Sequence, residues 1–455
     1  MNKEKNNEYS IVLELLFKEY ALNKKPIKIN IRKIVSDCEH KRKLLHNIHK
    51  YPAKILYSIP FFLLNNQILS KENDVILDPF CGSGTTLLEA NMAGRDSIGV
   101  DSNPLAHLIS EVKTTCYDKR KLEEIERQVK QRIITIKRQD SKLEKGIEIW
   151  FSQHVFSQLQ KVYGSICEIE NQKYQKFFLL CFSQTLGKVS LADPRIYVPV
   201  RLRLGKYSNE TDNENVKKRL SYLKKVDVFS IFFKIVSANR KLYENNDTSR
   251  LKKHWSKVIC SDIRVATQKI KKVLSEKGSS SQKVDMVITS PPYAGAQKYI
   301  RSSRLSLLWF GYKSSDINTL DKSSIGRESI LKNEILKIGE TGIAEVNIII
   351  KKILRTSPER AAIAYYYVKE MEESLKKIIK LLKRKKYLVV IIGDNTICGQ
   401  KFKNHLYLDK IILNLGMSLK LILVDNIQSF GMMTKRNSTA GIIKKEYILI
   451  YKKEK

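Results

Sequence analysis

The apolar run Val75-Ile76-Leu77 passes without a break into Asp78-Pro79-Phe80-Cys81-Gly82-Ser83-Gly84-Thr85-Thr86. No other stretch constrains the fold as strongly. A short apolar run between turn signals reads as a buried strand. Gly82 and Gly84 then make a turn without side-chain bulk, where backbone can approach a ligand closely. The helix predicted next, over residues 86–93 and ended by Gly94, turns its N-terminus toward the same place. A second strand, Ser97-Ile98-Gly99-Val100, ends at Asp101, 17 residues after Gly84. Strand, glycine turn, helix, strand and carboxylate together open a doubly wound parallel sheet, which binds ligands at the carboxyl ends of its strands. A carboxylate at Asp101 can accept the hydrogens of both ribose hydroxyls.

The same texture returns downstream. Val258-Ile259-Cys260-Ser261-Asp262 and Val284-Asp285-Met286-Val287-Ile288 read as buried strands, and residues 360–382 as an amphipathic helix with an apolar core-facing stripe. Strands follow at 387–392, 419–424 and 446–451, the last two as an antiparallel pair at the sheet edge. The expected class is therefore α/β: a doubly wound, Rossmann-like, mostly parallel sheet with an antiparallel edge hairpin and a largely helical inserted region. Residues 1–42 form an N-terminal helical arm and 43–116 the cofactor half of the core. Residues 117–255 are a mostly helical insert, 256–313 return to the core, 314–359 are a second insert, and 360–455 complete the core.

Thr289-Ser290-Pro291-Pro292-Tyr293 directly follows the strand at 284–288. Two prolines fix two φ angles and remove two N–H donors, so the loop is stiff and presents carbonyl oxygens. An exocyclic amino nitrogen on a nucleobase is a weak nucleophile because its lone pair is delocalised into the ring. Acceptors fixed at Ser290 Oγ and the Pro291 carbonyl can draw both N–H groups and favour a tetrahedral nitrogen. Tyr293 is placed to stack on the base, an interaction of about 1–3 kcal/mol. The amine can then attack in line and lose its proton afterwards, with rate coming from orientation.

The dinucleotide fingerprint needs a third glycine where this chain has Leu87, and Asp78 disfavours a pyrophosphate while tolerating a sulfonium. That argues for S-adenosylmethionine over a nicotinamide cofactor. Residues 78–90 with Gly99-Val100-Asp101-Ser102-Asn103-Pro104 resemble the cofactor motifs of amino-group DNA methyltransferases. His49-Lys50-Tyr51-Pro52-Ala53-Lys54 resembles the segment that closes over the methionine end in that family. The resemblance implies cofactor contacts at Tyr51, Pro52, Lys54, Asp78, Pro79, Phe80, Gly82, Gly84, Thr85, Asp101 and Ser102. Asp262 matches by position an acidic residue that contacts the adenine amino group, the alternative being a helix N-cap. The catalytic set it implies is Ser290, Pro291, Pro292 and Tyr293. The Thr-Ser-Pro-Pro-Tyr form resembles cytosine-N4 enzymes, whereas adenine-N6 enzymes more often carry Asp or Asn before the prolines. In duplex DNA the target must be flipped out of the stack.

The formal net charge of +36 favours a polyanionic partner. Taken alone it stands even with compositional bias, since Lys, Ile and Asn dominate the whole chain. The expected partner is double-stranded DNA, and the resemblance adds a restriction-modification or related defence system with a cognate restriction endonuclease. In the first insert, Tyr197, Arg201, Arg203, Lys206 and Tyr207 interleave basic and aromatic residues as a groove-reading element does. A solvated basic loop is an equal alternative there. Arg301 and Arg304 are candidates for phosphate contact. No CxxC pair occurs among the seven cysteines, so neither a zinc site nor a disulfide framework is indicated. Absence of a signal-peptide run or a membrane-length apolar stretch makes the expected location cytoplasmic. Methylation at cytosine C5 is set aside because no Pro-Cys dipeptide is present. Adenine-N6 methylation, RNA guanine-N2 methylation, and a non-catalytic nucleic-acid-binding protein on this fold remain as alternatives.

Overall fold

A computed structural model describes residues 3–36, 45–52, 54–136, 143–207, 209–244, 248–295, 298–427 and 443–455, with side chains from residue 8 onward. Ten strands occur among these: β1 (Ile27–Ile29), β2 (Val75–Asp78), β3 (Asp96–Asp101), β4 (Ser256–Cys260), β5 (Val284–Thr289), β6 (Leu382–Ile392), β7 (Asn395–Ile397), β8 (Gln400–Phe402), β9 (Met417–Asn426) and β10 (Lys445–Lys453). Eight of them form one sheet in the order β4-β3-β2-β5-β6-β10-β9-β1, and β7 with β8 makes a separate hairpin. Neighbours from β4 to β6 run parallel, while β10 is antiparallel to both β6 and β9.

The sheet is mostly parallel with helices on both faces, and its core strands match the sequence expectation. One placement is corrected. The antiparallel pair β9–β10 does not lie at the sheet edge, because β1 adds in parallel outside β9. Three residues of β1 satisfy the open hydrogen-bonding edge of β9, which would otherwise face solvent.

Both sheet faces are covered. Leu77, Val287, Leu388, Val390, Ile392 and Leu449 point into one core, against the helices Ile263–Glu276, Pro358–Leu381 and Asn404–Asn414. Their neighbours Ile76, Met286, Ile288, Val389, Ile391 and Ile448 point into the other, against the helices Lys3–Asn23 and Ser58–Leu64. The period of two along each strand is what lets uninterrupted aliphatic runs serve both cores. Helices of the first insert, Lys119–Thr135, Gln153–Cys167, Gln172–Val189 and Val228–Glu244, build a third core with the helix Pro104–Thr114.

Strand order reverses between β2 and β5: the chain moves outward to β3 and β4 on one side, and from β5 to β6 on the other. Their carboxyl ends diverge at this point and leave a crevice for a ligand. Asp78 ends β2 and Thr289 ends β5, so both sequence motifs arrive at the crevice.

Candidate active site

The glycine turn is held from two directions. Gly82 N–H donates to Asp101 Oδ2 at 2.9 Å, and Ser110 Oγ donates to the Gly82 carbonyl at 2.7 Å. Gly82 and Gly84 have φ of 48° and 70°. A Cβ on Gly84 would come within 2.8 Å of Ser110 Oγ, so the turn packs closely on the helix Pro104–Thr114. Asp101 Oδ1 accepts the Asn103 N–H at 2.8 Å, leaving lone pairs on both oxygens for a ligand. Burial lifts the Asp101 carboxyl to about 6. Asp78 is also buried and lifted to about 6, and its Oδ1 accepts from Thr289 Oγ1 at 2.8 Å and from Phe80 N–H at 3.2 Å.

Tyr51 and Lys54 border the same cleft as Asp78, Pro79, Phe80, Gly82, Thr85, Asp101 and Ser102. Asn103 Nδ2 donates to Tyr51 Oη at 3.2 Å, which fixes the ring near Gly82. Lys54 Nζ donates to the carbonyls of His46 and His49, and burial lowers its pKa to about 8. Pro52 is buried and Gly84 lies behind the turn, so neither is among the lining residues; Ala53 lies outside the described residues. Asp262 borders the cleft and also caps the helix Ile263–Glu276, accepting the Arg264 N–H at 2.8 Å. Its Oδ2 pairs with the Arg264 guanidinium at 2.7 Å. The helix-cap reading is thus seen directly, in a side chain that also borders the cleft.

Ser290 and Pro292 reach the cleft from β5; Pro291 and Tyr293 do not. The Tyr293 ring is only 7% exposed and packs in the core beneath the loop. Gly393 N–H donates to Tyr293 Oη at 3.1 Å, and Asn395 Nδ2 donates to the Ala294 carbonyl at 2.9 Å. Gly326, from the second insert, lies so close to the Tyr293 carbonyl oxygen that a Cβ would approach within 3.0 Å. The expected open stacking face on Tyr293 is therefore corrected in this conformation: the ring braces the loop from below. Tyr299 and Phe80 are the half-buried aromatic residues that border the cleft.

Several lining residues were absent from the sequence-derived set: Asn103, Ser261, Tyr299, Ser324 and Ile325. Asn103 carried a signal in Asn103-Pro104, an N-cap followed by proline at the first helical position. The others reach the cleft by tertiary packing and carry no local pattern. Arg201 and Arg203 are exposed on the first insert and outside the cleft lining, as is Arg301. Arg304 is half-buried and donates from Nη2 to Ser314 Oγ at 3.0 Å.

The crevice joins a ribose-ready carboxylate, a close-approach glycine turn and a proline-stiffened acceptor loop. Three carboxylates, at Asp78, Asp101 and Asp262, make it receptive to a cationic ligand and unwelcoming to a pyrophosphate.

Similarity to known proteins agrees with this chemistry. A family model described as DNA methylase, for N6 and N4 enzymes, matches residues 3–111, and an RMKL-like methyltransferase domain matches residues 63–165. The Type II methyltransferase M.MvaI of Kocuria varians is 27% identical over 378 residues, covering 78% of each chain. M.MjaII of Methanocaldococcus jannaschii is 39% identical over 87 residues, which is 19% of this chain and 16% of that protein. M.BsoBI of Geobacillus stearothermophilus is 40% identical over 100 residues, or 22% and 19%. A solved rRNA methyltransferase from Streptomyces viridochromogenes aligns over 91% of this chain and 93% of its own, at 9% identity and a TM-score of 0.29, too slight a likeness to weigh RNA against DNA.

Proposed function

We propose that the chain is an S-adenosylmethionine-dependent amino-group DNA methyltransferase that methylates the exocyclic N4 of a flipped-out cytosine in duplex DNA. The observation that carries this reading is the meeting of Ser290 and Pro292 with Asp101 and Asp78 in one crevice. When bound, the cofactor supplies an electrophilic methyl group on a sulfonium. The chain's own residues do the rest. Asp101 accepts the ribose hydroxyls, and the glycine turn lets the ligand lie against backbone. Tyr51 and Lys54 cover one end of the cleft, while the buried carboxylates favour the sulfonium charge.

On the base side, Ser290 Oγ and the Pro291 carbonyl accept the two N–H hydrogens of the target amine. This geometry raises the availability of the nitrogen lone pair, and the fixed loop supplies the orientation. No covalent enzyme intermediate is needed. Cys81 borders the cleft, but burial holds its thiol well above the ordinary range. It serves as a small packing residue: a Cβ on Gly99 would come within 2.8 Å of its Sγ. The Thr289-Ser290-Pro291-Pro292-Tyr293 form, by its resemblance to cytosine-N4 enzymes, supports N4 over adenine N6. The Type II relatives support a place in a restriction-modification system, with a cognate endonuclease as the expected companion.

The test is incubation with methyl-labelled S-adenosylmethionine and unmethylated duplex DNA, followed by digestion to nucleosides. N4-methylcytosine is the expected product. N6-methyladenine as the sole product would move the assignment to the adenine enzymes, and no labelled nucleoside would overturn the reading.

A further inference from the structure

Residues 191–207 form a braced loop. Its arms meet at the bridge between Ala192 and Arg201. Asp193 N–H donates to the Val200 carbonyl at 2.9 Å, and Leu202 N–H to the Leu191 carbonyl at 2.8 Å. Arg195 Nε and Nη2 donate to the buried Asp193 carboxylate at 3.0 and 2.8 Å, and Tyr207 Oη donates to it at 3.2 Å. The Arg195 guanidinium lies 5.0 Å from the Tyr207 ring centroid. Arg195 Nη1 also reaches Asp212 at 2.5 Å, tying the loop to the helix Glu210–Lys225. Arg195, itself exposed, and the half-buried Tyr207 thus brace the loop, with their polar atoms engaged by Asp193 and Asp212.

The outer face contrasts with this interior. Ile196, Tyr197, Val200 and Leu204 are exposed, Leu204 by 62%. Between them stand Arg201, Arg203 and Lys206, also exposed, whose side chains make no ion pair among the described residues. A rigid loop that exposes apolar and cationic side chains has lost its ordering entropy before a partner arrives. Alternating apolar and basic contacts suit base edges beside phosphates.

Placement agrees. The loop leaves the C-terminal end of the helix Gln172–Val189. Ser183 and Gln184 of that helix bond to His49 Nε2 and to the Ile48 carbonyl, just ahead of the cleft residue Tyr51. From Gln184 to Ser190 is about 9 Å along a helix. The root of the loop is thus joined by a short helical stretch to the segment that leads into the cleft.

We propose that residues 191–207 enter a groove of the DNA duplex, with Tyr197 and Leu204 against base edges and Arg201 and Arg203 on phosphates. The inference rests on the DNA-methylating function proposed above. Its test uses the full chain and a library of duplexes with a randomised centre, methylated with labelled cofactor and sequenced at the modified positions. Tyr197→Ala with Leu204→Ala is expected to broaden the set of methylated sequences. Arg201→Ala with Arg203→Ala is expected to weaken duplex binding uniformly across sequences at fixed salt and to lower the salt slope by about two. Cofactor binding by calorimetry and thermal melting stay at wild-type values in both. Unchanged sequence choice and affinity in both variants, with wild type active on duplexes, would overturn this proposal alone. A wild type inactive on every duplex, or one whose duplex activity is competed away by structured RNA, would overturn the function it rests on as well.

Discussion

Thr289 Oγ1 donates to Asp78 Oδ1 across 2.8 Å, joining the last residue of β5 to the last of β2, 211 positions apart in the chain. Both are buried, at 1% and 3% exposure. Ser290, the next residue, and Asp78 both border the crevice. β2 and β5 are neighbours in the sheet, and this hydrogen bond ties their carboxyl ends where the two motifs meet. Thr289→Val keeps the shape but leaves a buried carboxylate short of a donor, a loss of about 1–3 kcal/mol. Turnover is expected to fall about tenfold or more, with cofactor affinity little changed, and Thr289→Ser to restore most of it. Steady-state kinetics beside calorimetry check this; a valine variant with wild-type kcat would show the bond to be structural only.

Gly326 is the second fixed point of the catalytic loop. Its φ is +74°, and a Cβ would press on the Tyr293 carbonyl, a backbone atom that cannot swing aside. Gly326→Ala is expected to lose stability beyond the roughly 1–2 kcal/mol of left-handed strain, and to lose turnover through the displaced Pro292. Gly416→Ala is the control, with φ +83° and no atom within 4 Å of the added Cβ. Chemical denaturation and activity of the pair check it. Equal effects in the two variants would mean that the contact with Tyr293 is unimportant.

Asp101 and Asp78 give the site a pH dependence. Burial raises both from 3.8 to about 6; for Asp101 the Asp262 charge adds to the rise, while the Asn103 and Gly82 N–H groups oppose it. A carboxyl with a higher pKa in the folded state binds its proton more tightly there. Its contribution to stability is thus greatest below about pH 4 and falls as pH rises toward 6. Ribose binding runs the other way, because hydroxyls donate to the ionised form. Affinity for S-adenosylmethionine is expected to weaken below about pH 6, and Asp101→Asn to weaken it at neutral pH and flatten the profile. Lys54, at about 8, titrates above this window. Calorimetry across the range is the measurement; a flat wild-type profile would remove Asp101 from the ribose role.

How much of this was legible depends on where each residue gets its information. β2, β3 and β5 are buried on both faces, so each carries a short run without charge at its centre, Val75-Ile76-Leu77, Ile98-Gly99-Val100 and Met286-Val287-Ile288, and ends at a motif with its own turn chemistry. β1 is three residues long, with Lys28 at its centre, and is a strand only because β9 offers an open edge. Tyr299, on the short helix Tyr299–Ser302, and Ser324, in the second insert, reach the cleft by tertiary packing, which no local periodicity encodes. Asp262, just after its strand, caps the next helix and borders the cleft, a place that its position after an apolar run made legible. The burial of Tyr293 had no local signature, because the contacts at its carbonyl and Oη come from Gly326 and Gly393, 33 and 100 positions downstream.

That burial separates two roles for Tyr293 which the motif alone merges. If the ring acts by bracing the loop, Tyr293→Phe keeps the packing and removes only Oη, leaving the Gly393 N–H without its acceptor. The expected result is a stability loss of about 1–3 kcal/mol with most turnover retained. Tyr293→Ala opens a cavity beneath Pro291 and Pro292, costing about 3–5 kcal/mol by analogy with large aromatic truncations, and turnover is expected to collapse while the cofactor still binds. A fluorescent base analogue at the target position distinguishes bracing from stacking. Quenching on flipping that survives Tyr293→Phe but also survives Tyr293→Leu identifies the ring as a brace, and quenching lost only in the leucine variant returns it to stacking.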